Sequence, residues 1–170
     1  MSIKRVLTGA SIAATLVTLS ACGGGGDAAT DGAGSEVLSN GRTVAEQIAL
    51  RQDQYEQIGG AFKTIRDELE ASSPDIAKIQ TAAANLPELG TGMGDWFPEG
   101  TGPESGVETE ALPTIWETPE DFAQKVADFQ AAAASIDTAA QSGDLAAIAA
   151  AVQPFGGTCK ACHDNYRLDD

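Results

Sequence analysis

The sequence is poor in the side chains that bind metals or build disulfide networks. Its 170 residues include one histidine, three cysteines and two methionines. Three cysteines are too few for a disulfide scaffold, and a structural zinc site needs four ligands, mostly cysteine and histidine. A chain of this length can instead bury a hydrophobic core as one domain.

Basic residues are also scarce. Lysine and arginine together number 10 against 25 aspartates and glutamates, which gives a net charge of -15 at pH 7. Because proteins bind phosphates through clustered cations, we do not expect a nucleic-acid partner. An acidic surface would instead attract a basic protein partner.

The apolar run at the N-terminus, residues 6–19, is too short to be a comfortable membrane span. Lys4 and Arg5 precede it, which is typical of an export signal. The run ends in Leu19-Ser20-Ala21-Cys22, which resembles a bacterial lipobox with Cys22 as the lipidated first mature residue. An ordinary signal peptide cleaved nearby is the alternative. We predict a lipoprotein-type signal peptide over residues 1–21 and a periplasmic protein tethered to a membrane.

Glycines follow directly, four of them at positions 23–26, with two more at Gly32 and Gly34. Chains of this composition behave as flexible coils. We therefore predict a tether over residues 22–40 and a folded domain over residues 41–170.

The folded part shows four amphipathic helical patterns. In the first, eight residues at alternating spacings of four and three mark one face: Val44, Ile48, Arg51, Tyr55, Ile58, Phe62, Ile65 and Leu69. Start signals at Ser73-Pro74, Thr118-Pro119 and Gly143-Asp144 open three more helices. The buried face of the last helix is predicted to begin at Leu145. The buried face of the helix before it is predicted to comprise Phe122, Val126, Phe129, Ala133, Ile136 and Ala140. Four such helices predict an all-α bundle. Residues 87–117, rich in glycine and proline, form the predicted crossover, pinned by Trp96, Phe97 and Trp116.

The last helix carries the pentapeptide Cys159-Lys160-Ala161-Cys162-His163. On a helix, the two thiols and the imidazole share one face. This motif is typical of covalent haem c, in which both thiols form thioethers and the imidazole is an axial iron ligand. A redox dithiol, half a zinc site, or a lipoprotein whose motif carries no haem are the alternatives.

Two polar residues occupy the buried face of the first helix. For Arg51 we predict either a contact with haem propionates or a head group that reaches out to solvent. For Tyr55 we predict a place in the pocket opposite His163, with an ordinary core aromatic as the alternative. Met93, in the crossover, has no evident reason to reach the iron. The iron is therefore predicted to be five-coordinate, with one face open to small diatomic molecules.

The chain resembles the cytochrome c′ family, the class II c-type cytochromes, over residues 44–167. The similarity lies in the C-terminal Cys159-Lys160-Ala161-Cys162-His163-Asp164-Asn165-Tyr166-Arg167, in Arg51-Gln52 with a bulky residue at 55, and in Pro113-Thr114-Ile115-Trp116. It implies an antiparallel up-down-up-down bundle, commonly a homodimer, with one covalent haem c on Cys159 and Cys162. It also implies His163 as the axial ligand, Tyr55 in the distal pocket and Arg167 beside the proximal face; a surface arginine is the alternative for Arg167.

We therefore predict an exported haem protein that binds NO and CO and sequesters NO. The alternative is a membrane-tethered electron-transfer cytochrome with a redox partner protein. We predict no enzymatic turnover, because the sequence identifies no acid–base group near the iron.

Overall fold

The computed structural model describes residues 32–168, whose regular secondary structure is helical. Its helices are α1 (Val44–Glu70), α2 (Ile76–Leu89), the single turn α3 (Thr114–Glu117), α4 (Pro119–Ser142) and α5 (Leu145–Tyr166). The four long helices form an antiparallel bundle, which confirms the predicted fold class. The predicted signal peptide, Cys22 and residues 23–31 lie outside the described residues. None of the helices in residues 32–168 is both long enough and apolar enough to cross a membrane.

The predicted apolar faces point into the core of the bundle. On α4 the six predicted residues are all buried: Phe122, Val126, Phe129, Ala133, Ile136 and Ala140. On α1 the buried residues include Val44, Ile48 and Ile65, with Arg51 among them. Leu145 is a difference: we predicted it on the buried face of α5, but as the first residue of that helix it is 37% exposed.

The predicted boundaries of α2 were wrong at both ends. Asp75, not Ser73, is the N-cap, because its carboxylate accepts hydrogen bonds from the backbone N–H groups of Ala77 and Lys78. At the other end the helix continues through Pro87 to Leu89. Pro87 removes one backbone hydrogen bond near the end of the helix and crowds the carbonyl one turn earlier. Leu89 packs against the core, so tertiary contact outweighs the proline signal.

Part of the predicted tether is folded against the bundle. The Ala45 N–H donates to the Gly34 carbonyl at 3.0 Å and the Val44 N–H donates to the Glu36 carbonyl at 2.9 Å. Gly34 has a φ of +79°, and a Cβ there would stand 2.6 Å from Val107 Cγ2. Only glycine fits this packing. The structure therefore differs from the predicted flexible tether at residues 34–36.

The crossover between α2 and α4 is more ordered than we predicted. It contains two short 3₁₀ helices, Met93–Trp96 and Pro103–Ser105, before α3. The Trp116 indole N–H donates to the Phe97 carbonyl at 2.9 Å, and the Phe97 ring contacts the Phe122 ring at a centroid distance of 5.1 Å. Trp96 is buried. The three aromatic residues therefore pin the crossover to the bundle, as predicted.

Gly59 and Gly60 lie inside α1, which continues through them. A glycine pair inside a helix favours a kink or a close backbone contact. A Cβ placed on either glycine would meet nothing within 4 Å, so no neighbouring element approaches the backbone there.

Candidate haem-binding site

A cavity of about 600 Å³ lies between α1 and α5. These two helices meet in few places, whereas α4 packs closely against α5 and α2 packs against both α1 and α4. The α1 wall carries Tyr55, Ile58 and Phe62, and α4 contributes Phe122 and Phe129. The walls are mostly apolar, as in a pocket that holds a large flat cofactor.

The predicted pentapeptide lies on the α5 wall of this cavity. Cys159, Cys162 and His163 all line it, as their helical spacing predicts. Burial raises the pKa of the Cys162 thiol to about 11 and also raises the pKa of the Cys159 thiol. Burial and the nearby Arg167 charge lower the pKa of His163, which favours the neutral imidazole that can bind a metal.

Arg51 is buried, with 2% of its surface exposed, so the predicted extension of its head group to solvent is wrong. Its Nη1 donates to Thr101 Oγ1 at 2.9 Å, and its Nη2 donates to the Thr101 carbonyl at 2.7 Å and to Thr109 Oγ1 at 2.6 Å. The guanidinium also lies 4.7 Å from the centre of the Phe97 ring. Burial lowers the pKa of Arg51 to about 10, so it stays charged at neutral pH. Arg51 lines the cavity, and its contact with propionates stays a prediction.

Tyr55 lies on the α1 wall, in the same cavity as the pentapeptide. Its ring packs edge-to-face with Trp96 at a centroid distance of 5.4 Å, and its centre lies 6.3 Å from that of the Phe97 ring. Burial raises the pKa of its phenol well above the usual value, so the side chain is neutral at pH 7. The structure therefore makes Tyr55 a wall of the cavity.

Met93 differs from our expectation. We had placed it in a loop away from the iron, but it is 4% exposed, belongs to a 3₁₀ helix and lines the cavity. The reason is the order of the crossover, which folds back between α1 and α4. Met93 thus places a thioether on the cavity wall.

Arg167 combines features of both alternatives. It lines the cavity, and its Nε donates to Glu110 Oε2 at 2.6 Å on a partly exposed surface. Its backbone N–H donates to the His163 carbonyl at 3.1 Å. Arg167 is therefore held beside the pentapeptide, and its role toward a cofactor stays a prediction.

Several residues of the site were missed by sequence reasoning. Thr101 and Thr109 hold Arg51, yet nothing in a glycine- and proline-rich segment marked them. Lys125 lines the cavity, with Nζ 3.8 Å from Asp121 Oδ1; its position three residues after Phe122 was an available signal. Asp121 also accepts a 2.6 Å hydrogen bond from the Tyr166 hydroxyl, which joins α4 to the end of α5.

Comparison with known proteins decides the family. The sequence profile described as Cytochrome C' matches residues 46–167. The chain belongs to the cytochrome c′ family. It is 42% identical to cytochrome c-554 of Cereibacter sphaeroides over 115 residues, which cover 67% of this chain and 81% of that protein.

Solved structures of cytochromes c′ agree with this assignment. The crystal structure from Thermochromatium tepidum is 30% identical, with a TM-score of 0.71, and the match covers 79% of this chain and all of that one. A ferrous variant of the Alcaligenes xylosoxidans protein, solved with bound NO, is 28% identical with a TM-score of 0.67, covering 75% and 97% of the two chains.

The family binds a covalent haem c, and the residues present here fit that group. Both thiols line one wall of an apolar cavity large enough for a drug-sized or larger cofactor. They are half-buried and lie one helical turn apart. The fold thus places the thiols of the pentapeptide on the wall of a cavity that can hold the haem.

We predict that Arg51→Met lowers the free energy of unfolding by about 3 kcal/mol, because the buried Thr101 oxygens and the half-buried Thr109 hydroxyl lose their donor. Urea unfolding of the haem-bearing protein measures this change. The matched control is Arg66→Met on the same helix, whose guanidinium is exposed 6.0 Å from the Phe62 ring centre. Equal losses in the two variants would show that the crossover does not depend on Arg51.

The raised pKa of Tyr55 predicts a pH-dependent contribution to stability. Above pH ~10 the unfolded chain releases the phenolic proton while the folded chain keeps it, so this contribution is present below pH ~10 and falls as pH rises further. The wild type should therefore lose stability relative to Tyr55→Phe between about pH 9 and pH 11. Urea midpoints at several pH values measure the difference, and a constant difference across this range would contradict the prediction.

Proposed function

We propose that this protein is an exported haem c protein that binds diatomic gases such as NO and CO and sequesters NO. In this proposal Cys159 and Cys162 carry the haem and His163 is the axial ligand. Held there, the haem would supply an iron atom able to bind a gas. The observation that carries the proposal is the α1 wall opposite the pentapeptide, where Tyr55, Ile58 and Phe62 offer neither imidazole nor thioether.

The α1 wall also favours small neutral ligands. Tyr55 is held by Trp96 and Phe97, and its raised phenol pKa keeps it from acting as an anionic ligand at neutral pH. The apolar side chains of Ile58 and Phe62 on the same wall provide no charge complement for an ionic substrate. The NO complex of the Alcaligenes xylosoxidans relative supports the same function for this chain.

Met93 is the residue that most directly challenges a five-coordinate iron. It packs in the hydrophobic core cluster together with Trp96 and Phe129, and we propose that it serves as wall rather than ligand. Arg51 and Arg167 are proposed to lie beside the haem, since each lines the cavity and is fixed by oxygen acceptors.

Titration of the ferrous protein with NO under anaerobic conditions tests this function. We expect a high-spin, five-coordinate spectrum before addition and a new Soret band at low NO. Met93→Leu should leave the starting spectrum unchanged, because a wall residue makes no bond to iron. A six-coordinate spectrum that becomes five-coordinate only in Met93→Leu, or no response to NO in the wild type, would contradict the proposal.

Dimerisation and electron transfer stay predictions. A solved cytochrome c′ that is 29% identical, with a TM-score of 0.70, is described as having an unusual ligand-controlled dimer dissociation. For this chain, a homodimer is proposed on that likeness. Electron transfer to a basic partner is the alternative function, supported by the net charge of -15.

We also propose that the protein is periplasmic and held at a membrane by lipid on Cys22. Cys22→Ala should move the haem-bearing protein from the membrane fraction to the soluble fraction, because the acyl chains provide the membrane affinity. Cell fractionation with haem staining measures the shift, and the Soret spectrum of the released protein serves as the folding control. Wild-type protein found only in the soluble fraction would rule out the anchor.

A further inference from the structure

The gap between α1 and α5 leads into the cavity, and contacts close this gap at each of its two ends. At one end the Gln52 side-chain amide donates to the Glu108 carbonyl at 3.3 Å, which ties α1 to the crossover. At the other end the Phe62 ring lies 4.8 Å from the Phe155 ring and 3.5 Å from where a Cβ would stand on Gly156. The rim of α1 between these two closures is therefore the part that a ligand can pass.

That rim runs from Gln52, the residue of the first closure, through Glu56 to Gly59. All three residues are exposed, line the cavity and share one face of α1 through spacings of four and three. Two of these positions carry long side chains, and the third carries none. A Cβ at Gly59 would meet nothing within 4 Å. The rim thus has a gap at Gly59.

The gap is not required by the backbone. Gly59 is helical, and its φ is not among the positive values found at other glycines of the chain, so any residue fits its conformation. Glycine inside a helix is less stable than alanine. No neighbouring backbone needs the space either, since no heavy atom approaches a Cβ at this position.

We propose that Gly59 is the port through which diatomic ligands enter and leave the α1 side of the haem cavity. This inference rests on the proposed gas-binding function. Gly59 is the position on this rim of α1 that has no side chain, and a side chain placed there would fill the gap. It would slow the passage of a ligand while leaving Tyr55 and the pentapeptide themselves unchanged.

Gly60 provides a matched control. It is the next residue of the same helix, it is exposed, and a Cβ there also meets nothing within 4 Å, but it does not line the cavity. Gly59→Leu and Gly60→Leu should therefore change helix propensity by the same amount. Only Gly59→Leu should affect ligand passage.

The test is CO rebinding to the ferrous haem-bearing protein after flash photolysis, together with the CO dissociation rate. We expect Gly59→Leu to slow association about tenfold, a barrier increase of about 1.4 kcal/mol. Dissociation should slow by the same factor, because a barrier on the route acts in both directions and leaves the affinity unchanged. Gly60→Leu should keep both wild-type rates.

Two further measurements separate the port from other roles of Gly59. Haem content and the Soret position should be the same in both variants, and both unfolding midpoints should rise by about 3 °C through helix propensity. Loss of haem in Gly59→Leu alone would overturn the proposal, because it would show that the haem itself occupies the space beside Gly59. Equal CO rates in the two variants would also overturn it, and failure of the wild type to bind CO would instead refute the proposed function.

Discussion

The structure depends on keeping α1 and α5 apart along one part of the bundle while the rest closes around a core. At one end the separation is set by Phe155, whose ring contacts Phe62 on α1 at 4.8 Å and Phe129 on α4 at 5.4 Å. At the other end the crossover is tied to α1 through Arg51. Protein interiors are close-packed, so a cavity stays open only where its walls are held apart. The contacts of Phe155 and of Arg51 hold the walls of this cavity apart at its two ends.

Arg51 shows how this chain stabilises a buried charge. A guanidinium withdrawn from water requires several hydrogen bonds, and Thr101 and Thr109 supply three acceptors while Phe97 offers a ring face. The same contacts order a crossover that would otherwise be a long irregular loop. Its order places Met93, Trp96 and Phe97 in or beside the cavity wall. A polar residue on an apolar helix face thereby helps to build an apolar cavity.

The sequence predicts the structure well where spacing and capping within one helix suffice. Spacings of three and four predicted the buried face of α4 residue by residue, and Gly143 and Asp144 marked the break before α5 as predicted. Prediction from the sequence fails where tertiary contacts determine the local structure. Pro87 predicts a helix stop, yet α2 continues to Leu89, which packs on the core. The glycine-rich composition around Gly34 predicts a flexible tether, yet Gly34 packs under Val107.

The sequence by itself determined the pentapeptide, its place on a helix and the amphipathic pattern of the bundle, because these depend on spacings within one helix. It also limited the possible iron ligands to one histidine and few thioethers. Only the tertiary structure decided which side chains face the pentapeptide. Arg51 meets oxygens about 50 residues away in sequence, and Met93 reaches the cavity through a folded crossover. Such long-range contacts follow from how the helices pack, which no local spacing encodes.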